Sequence, residues 1–212
     1  PLIRHISKFN KPIILSTGMQ TLGTIRESVE IIRGADVDFA LLECTNLYPS
    51  PPQIVSLKGV EDLQKEFPDA VVGFSDHSIG PFMSLASVAL GACILERHFT
   101  DNRYRKGPDI SCSMDPLELK LLIERSEEIF IARNNPKIRS ADEEAVYQFA
   151  RGSIVADKEL EEGTIIKESD IWARRPGNGE IAAKEFDKII GMKTNKYITK
   201  NTQLKWSDFS KK

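Results

Sequence analysis

The chain has 212 residues, 41% hydrophobic and 28% charged, with a formal net charge of -2. That balance suits a globular fold and gives no electrostatic reason to expect nucleic acid or an anionic membrane as a partner. No apolar run approaches the roughly 20 residues that cross a bilayer. The cysteines, Cys44, Cys93 and Cys112, lack CxxC spacing and read as small buried hydrophobes of a reducing, cytoplasmic protein.

The sequence opens on Pro1 rather than Met, and Pro1-Leu-Ile-Arg-His-Ile reads as a segment entered partway through. From Lys11 to about Asn134 one rhythm then repeats: a short β-rich run, a polar tip, an amphipathic helix. The first run is Pro12-Ile-Ile-Leu-Ser16, tipped by Ser16-Thr-Gly-Met-Gln. Thr24-x-x-Glu27 is the pattern of a capping box, and Gly34 suits the end of the helix that follows. The second run is Phe39-Ala-Leu-Leu-Glu43, tipped by Cys44-Thr-Asn-Leu-Tyr-Pro; its helix carries Leu57, Val60, Leu63 and Phe67. The third is Ala70-Val-Val-Gly-Phe74, tipped by Ser75-Asp76-His77. Its helix, roughly 81–90, is small and apolar throughout and should be well buried. The fourth is Ala92-Cys-Ile-Leu-Glu96, tipped by Arg97-His98-Phe-Thr-Asp. After a long loop, Asp115-Pro116 supplies an N-cap and a first-turn proline for a helix to about Arg133.

Four strand–helix units in a row imply parallel strands with helical crossovers, buried on both faces, with polar residues at their C-terminal ends. Four units are half of a (β/α)8 barrel, which needs ~250 residues. An open half would leave two sheet edges unpaired. The expected fold is therefore α/β: the second half of a TIM barrel over residues 1–134, with the first half upstream. A small open four-stranded sheet is the alternative. Residues 135–148, polar and interrupted by Pro136, read as a linker. Residues 149–212 change texture to short β-runs (153–156, 163–166, 171–174, 196–199) between turns such as Pro176-Gly-Asn-Gly, a separate β-rich module.

His77 and His98 lie just past adjacent expected strands, which sit ~4.8 Å apart, so their imidazoles can converge. Two neutral imidazoles with waters and substrate oxygens suit an exchangeable divalent metal; the plain alternative is two isolated polar residues at strand ends. Glu96 and Asp109 flank His98 and could orient it, bind hydroxyls or transfer protons. Ser16 and Ser75 offer hydroxyls for phosphate or carboxylate oxygens, and Asn46 and Tyr48 project from the second tip. Arg174-Arg175 forms a basic pair on a turn of the small module. His5 has no assigned role.

With these residues in view, the chain resembles the sialic acid synthase family, which makes N-acetylneuraminic, legionaminic and pseudaminic acids. The shared motifs are Leu15-Ser-Thr-Gly-Met19, Cys44-Thr-Asn-Leu-Tyr-Pro49, Phe74-Ser-Asp-His-Ser78, Glu96-Arg-His-Phe-Thr-Asp101, Gly107-Pro-Asp-Ile-Ser-Cys-Ser-Met-Asp115 and Arg175-Pro-Gly-Asn-Gly179, in family order. The resemblance implies a (β/α)8 barrel followed by an antifreeze-like (SAF) β-clip domain. It also implies condensation of phosphoenolpyruvate with an open-chain N-acyl hexosamine such as N-acetylmannosamine, releasing phosphate. Under it, His77 and His98 hold Mn²⁺ or Mg²⁺ as a Lewis acid, and these two with Glu96 form the catalytic set. Ser16, Asn46, Ser75 and His77 contact phosphoenolpyruvate, while Tyr48, Glu96 and Asp109 contact the sugar. Phe149 and Arg175 reach into the partner's barrel in a domain-swapped homodimer.

Two departures stand out. The family's first half-barrel carries a catalytic Glu and other substrate contacts, so these 212 residues alone are expected to be inactive. Glu43 replaces a His found in many relatives. Arg97 and the Gly-Pro-Asp-Ile spacing lean towards the neuraminate and legionaminate branches. A rival reading is another phosphoenolpyruvate-dependent 3-deoxy sugar acid synthase, which the SAF module disfavours. A second is a non-catalytic ice- or glycan-binding protein, disfavoured because Thr164, Thr194, Thr199 and Thr202 are scattered among Lys and Glu.

Overall fold

A computed structural model describes residues 1–210. It separates into two compact units, Pro1–Pro136 and a second beginning at Lys137. The first unit is a curled, wholly parallel sheet in the order β1-β2-β3-β4, a half-barrel. Its strands are β1 (Ile13–Ser16), β2 (Phe39–Cys44), β3 (Val71–Asp76) and β4 (Leu95–Arg97). They alternate with helices α2 (Leu22–Arg33), α3 (Lys58–Glu66), α4 (Phe82–Ala89) and α5 (Pro116–Asn134), after a short α1 (Leu2–Ile6).

The core lies between sheet and helices. Ile25, Val29 and Ile32 of α2, spaced along one helical face, pack with Val60 and Leu63 of α3 against Ile13, Phe39, Leu41, Val72 and Phe74. Full burial of a side chain such as Leu41 or Phe74 contributes about 1.5–3 kcal/mol. The second unit packs a smaller core around Ile154, Leu160, Ile166, Ile171, Ile181, Ile189 and Leu204.

Several local expectations change. Helix α2 starts one turn before the Thr24–Glu27 pattern: Thr21 is the N-cap, and Thr21 and Thr24 exchange backbone-to-hydroxyl bonds of 3.0 and 3.4 Å. Thr24 thus plays the partner's part in the capping box rather than the cap's. Strand β4 begins three residues later than the apolar run suggested, after a turn at Gly91 (φ +110°). Burial on both faces holds for β2 but not for β1, where Ile13 is 7% and Ile14 59% exposed. Helix α4 buries Ser84, Ser87 and Val88 and leaves Phe82 exposed, so it is buried on one face only. Asp115 caps α5 as expected, its carboxylate accepting from Leu117 and Glu118 N–H at 2.9 Å. Cys44 and Cys112 are buried, but Cys93 is exposed.

The stretch read as a linker contains structure. A capping box between Ser140 and Glu143 opens a 3₁₀ turn at Ala141–Glu143, and α6 (Glu144–Ala150) follows, placing Phe149 on a helix. Beyond it, the β-runs at 153–156 and 171–174 pair as antiparallel β5 (Ser153–Ala156) and β6 (Ile171–Arg174). The runs at 163–166 and 196–199 contribute only single bridges, Ile165↔Lys193 and Leu160↔Ile198. Helix α7 (Phe186–Ile189) completes the unit's regular elements. One local design occurs twice there. In Lys167-Glu-Ser-Asp170 and Lys205-Trp-Ser-Asp208 a buried Asp accepts from the N–H of the Lys three residues earlier, at 2.9 Å in both. Each Asp also pairs with a second lysine, Lys158 at 2.6 Å and Lys196 at 2.7 Å.

Candidate active site

The pleat sorts the strand-end residues. The register pairs Phe74 with Leu95, Ser75 with Glu96 and Asp76 with Arg97, and successive side chains point to opposite faces. Phe74 and Asp76 face the helices: Phe74 joins their core, and Asp76 accepts from Ser84 of α4. Ser75 and Glu96 therefore share the inner, concave face, where the Ser75 hydroxyl donates to Glu96 Oε1 over 2.7 Å. Cys44 pairs with Ser75 and Ser16 with Leu42, which puts both on the same face by register.

One step beyond, His77 and His98 meet. Their ring centroids lie 5.3 Å apart in an edge-to-face arrangement. Tyr48, from the loop after β2, packs tilted against His77 with ring centroids 4.0 Å apart and edge-on to His98 at 5.5 Å. His77 is buried, and its Nδ1 lies 3.0 Å from the Thr45 carbonyl oxygen. A carbonyl only accepts, so neutral His77 carries its proton on Nδ1 and leaves the Nε2 lone pair for a ligand. His98 Nδ1 lies 3.7 Å from Asp109 Oδ2, an electrostatic pairing just beyond hydrogen-bond length. Asp109 itself sits at φ +62° in the loop before α5. Burial, reinforced by Cys44 and Asp109, pushes the Tyr48 phenol up, so it remains a neutral hydroxyl.

Asn46 is held from two sides. Its Oδ1 accepts from the Cys44 thiol at 2.8 Å, and a Cβ on Gly18 would come within 2.3 Å of the same oxygen. Only glycine lets the β1 tip approach so closely. Ser16 ends β1 exposed to solvent, two strands away from β3. Phe149 and Arg175 are exposed residues of the second unit.

No group of three or more His, Cys, Asp or Glu side chains that could hold a metal is present among the described residues. The chemistry of the donor set nevertheless fits a two-histidine site, with one imidazole locked in the ligating tautomer and the other beside a carboxylate. The remaining positions would belong to water and substrate.

Two features of the site escape a reading of the sequence alone. Asp76 and Arg97 form a buried ion pair, Oδ2 to Nη1 2.9 Å, with side chains 1% and 2% exposed. Cys44 lies under the histidine cluster, 3.9 Å from His77 Nδ1. The signal for the ion pair was present, an acid before one His and a base before the other, but only the register makes them partners.

A parallel sheet with its polar residues clustered at the C-terminal strand ends has the architecture of the α/β-barrel class. Similarity to known proteins sharpens this. The NeuB family model matches residues 1–137 and the SAF domain model matches residues 151–210. The N,N'-diacetyllegionaminic acid synthase of Campylobacter jejuni is 40% identical over 205 residues, covering 95% of this chain and 60% of its own length. The crystal structure of spore coat polysaccharide biosynthesis protein spsE from Bacillus subtilis superposes with a TM-score of 0.60 at 28% identity, covering 100% of this chain and 64% of that one. N-acetylneuraminic acid synthetase from Leptospira borgpetersenii, crystallised with citrate, gives 0.64 at 29% identity over 68% of this chain and 51% of that one. The chain belongs to the NeuB family of sugar acid synthases and carries a SAF domain. It spans about 60% of the length of the Campylobacter relative. No helix among the described residues is long and apolar enough to cross a membrane.

Proposed function

We propose that the intact protein condenses phosphoenolpyruvate with the aldehyde of an open-chain N-acyl hexosamine, N-acetylmannosamine or a close relative, and releases phosphate. The observation that carries this reading is the convergence of His77, His98 and Tyr48 at the ends of β2, β3 and β4, beside the Ser75–Glu96 pair, in a NeuB chain. A Mn²⁺ or Mg²⁺ ion held by His77 and His98 would supply Lewis acidity towards the sugar aldehyde.

The chain's own residues bind and orient. Ser16, Asn46 and Ser75 present a hydroxyl, an amide and a second hydroxyl to the phosphate and carboxylate oxygens of phosphoenolpyruvate. His77 joins them at the strand end. Glu96, fixed by Ser75, accepts from sugar hydroxyls, and Tyr48 and Asp109, both beside His98, add further sugar contacts. Near-attack placement of C3 of phosphoenolpyruvate against the aldehyde carbon is the contribution these orienting residues make. In this reading Phe149 and Arg175 close the sugar site of a partner subunit in a domain-swapped homodimer. Residues outside these 212 complete the catalytic set.

A legionaminate-type acceptor is the second reading. It is favoured by the Campylobacter relative, whose similarity runs through both units. Phosphate release from phosphoenolpyruvate, measured on the intact protein with N-acetylmannosamine and with the legionaminate and pseudaminate precursors, tests both. Release with none of the three overturns the proposal.

A further inference from the structure

The proposed chemistry leaves the Asp76–Arg97 pair without a part. Both side chains lie on the helix side of the sheet, directly behind the residues that carry the site. Their surroundings are specific. Asp76 Oδ1 accepts from Ser78 N–H at 2.8 Å, and Oδ2 accepts from Ser84 N–H at 3.1 Å and from Ser84 Oγ at 2.6 Å. One carboxylate thus ties both ends of the turn that starts at His77 and runs into α4. Arg97 closes the same turn from β4: Nη1 donates to Asp76 and to the Gly80 carbonyl, and Nη2 to the Ser78 carbonyl at 2.7 Å. Arg97 Nε and Ser78 Oγ are buried without partners among the described residues.

We propose that the Asp76–Arg97 pair is the positioning device of the two histidines. It locks the β3–β4 register and the turn after His77, so that the imidazoles emerge facing each other on the inner side. Each histidine is covalently attached to one member of the pair, and the planar guanidinium fork reaches acceptors from four residues at once, Asp76, Ser78, Gly80 and Ser84. A lysine ammonium has the charge but not the fork. A buried ion pair is weak evidence for stability alone, and its best-attested use is to fix a register. The kinetic part of this inference rests on the synthase reading; the geometric part does not.

The test compares Arg97→Lys and Arg97→Met in the intact protein with ring-¹⁵N-labelled histidine, and needs no added metal. Arg97→Lys is expected to melt cooperatively while the His77 and His98 imidazole signals shift and broaden. The His5 signal stays put and serves as the internal control. In the activity assay kcat falls at least about tenfold with the Michaelis constant for phosphoenolpyruvate within about threefold, the pattern of misplaced rather than missing groups. Arg97→Met is expected to move the same signals further. If it fails to fold, Arg97→Lys decides. Unmoved His77 and His98 signals with wild-type kcat in Arg97→Lys overturn the proposal and leave the pair a stability element. If the wild type has no synthase activity, the synthase reading fails by itself and the imidazole signals alone decide the positioning.

Discussion

The Ser75 hydroxyl donates to the Glu96 carboxylate over 2.7 Å, between neighbouring parallel strands whose register pairs the two residues directly. The bond fixes a carboxylate that would otherwise sample several rotamers at the mouth of the sheet. Ser75→Ala is expected to lower kcat/KM for the sugar about 10- to 100-fold, the usual size of a lost bond to a charged group. Melting temperature should stay within a few degrees. An unchanged kcat/KM would show that Glu96 orients itself without Ser75.

Metal dependence is the second expectation. Two imidazoles form a weak, exchangeable site, so prolonged chelation should bring phosphoenolpyruvate consumption to background and added Mn²⁺ should restore it. His98→Ala should lose most activity and still fold, because a half-exposed residue past a strand end supports little core packing. Turnover that survives exhaustive chelation would remove the Lewis-acid role.

Asn46 offers a third test. A methyl group at Gly18 collides with the Asn46 side chain, which is flexible enough to swing away without unfolding the chain. Gly18→Ala should therefore keep its stability and raise the Michaelis constant for phosphoenolpyruvate about tenfold, the scale of one lost hydrogen bond. A wild-type constant would exclude Asn46 as a contact.

Glu43 gives a pH signature. Burial, with Asp62 nearby, pushes its carboxyl up to about 7 from an ordinary value near 4.5. The folded protein therefore binds this proton more tightly than the unfolded chain does. Stability contributed by the protonated form is complete below about pH 4.5 and declines as pH rises to about 7. Discounted for partial solvent access, the cost above pH 7 is about 1–2 kcal/mol. Glu43→Gln should raise the melting temperature at pH 8 and hardly change it at pH 4.5. Equal shifts at both pH values would contradict a titrating origin.

The parallel architecture and the strand-end cluster were legible because both are written locally: an apolar run, then a polar tip, four times over. His77, His98, Tyr48, Asp109, Ser75 and Glu96 are brought together as that pattern implies. What escaped is written non-locally. The approach of β4 to β3 is one such feature: a Cβ on Gly73 would strike the Ile94 carbonyl at 2.5 Å, a contact between residues 21 apart in sequence. The cap at Thr21 is masked in the sequence because Thr24 fits a capping pattern in either direction. Ser140 and Glu143 spell a helix start that Pro136 overshadowed. Glu43 faces α3, close against Gly59, and its environment comes from a helix 15 or more residues further on.

The two histidines belong to a single strand–helix–strand unit, and the bonds that tie their neighbours span only 21 residues of chain. In a parallel pair that separation is still non-local, so the chain must close the loop through α4 before these contacts offset its entropic cost. The centre of the site also draws on the loop after β2, whose Thr45 carbonyl holds His77 Nδ1 and whose Tyr48 packs against both imidazoles. A transplant of this chemistry therefore has to carry β2 and its loop along with the histidine-bearing strands.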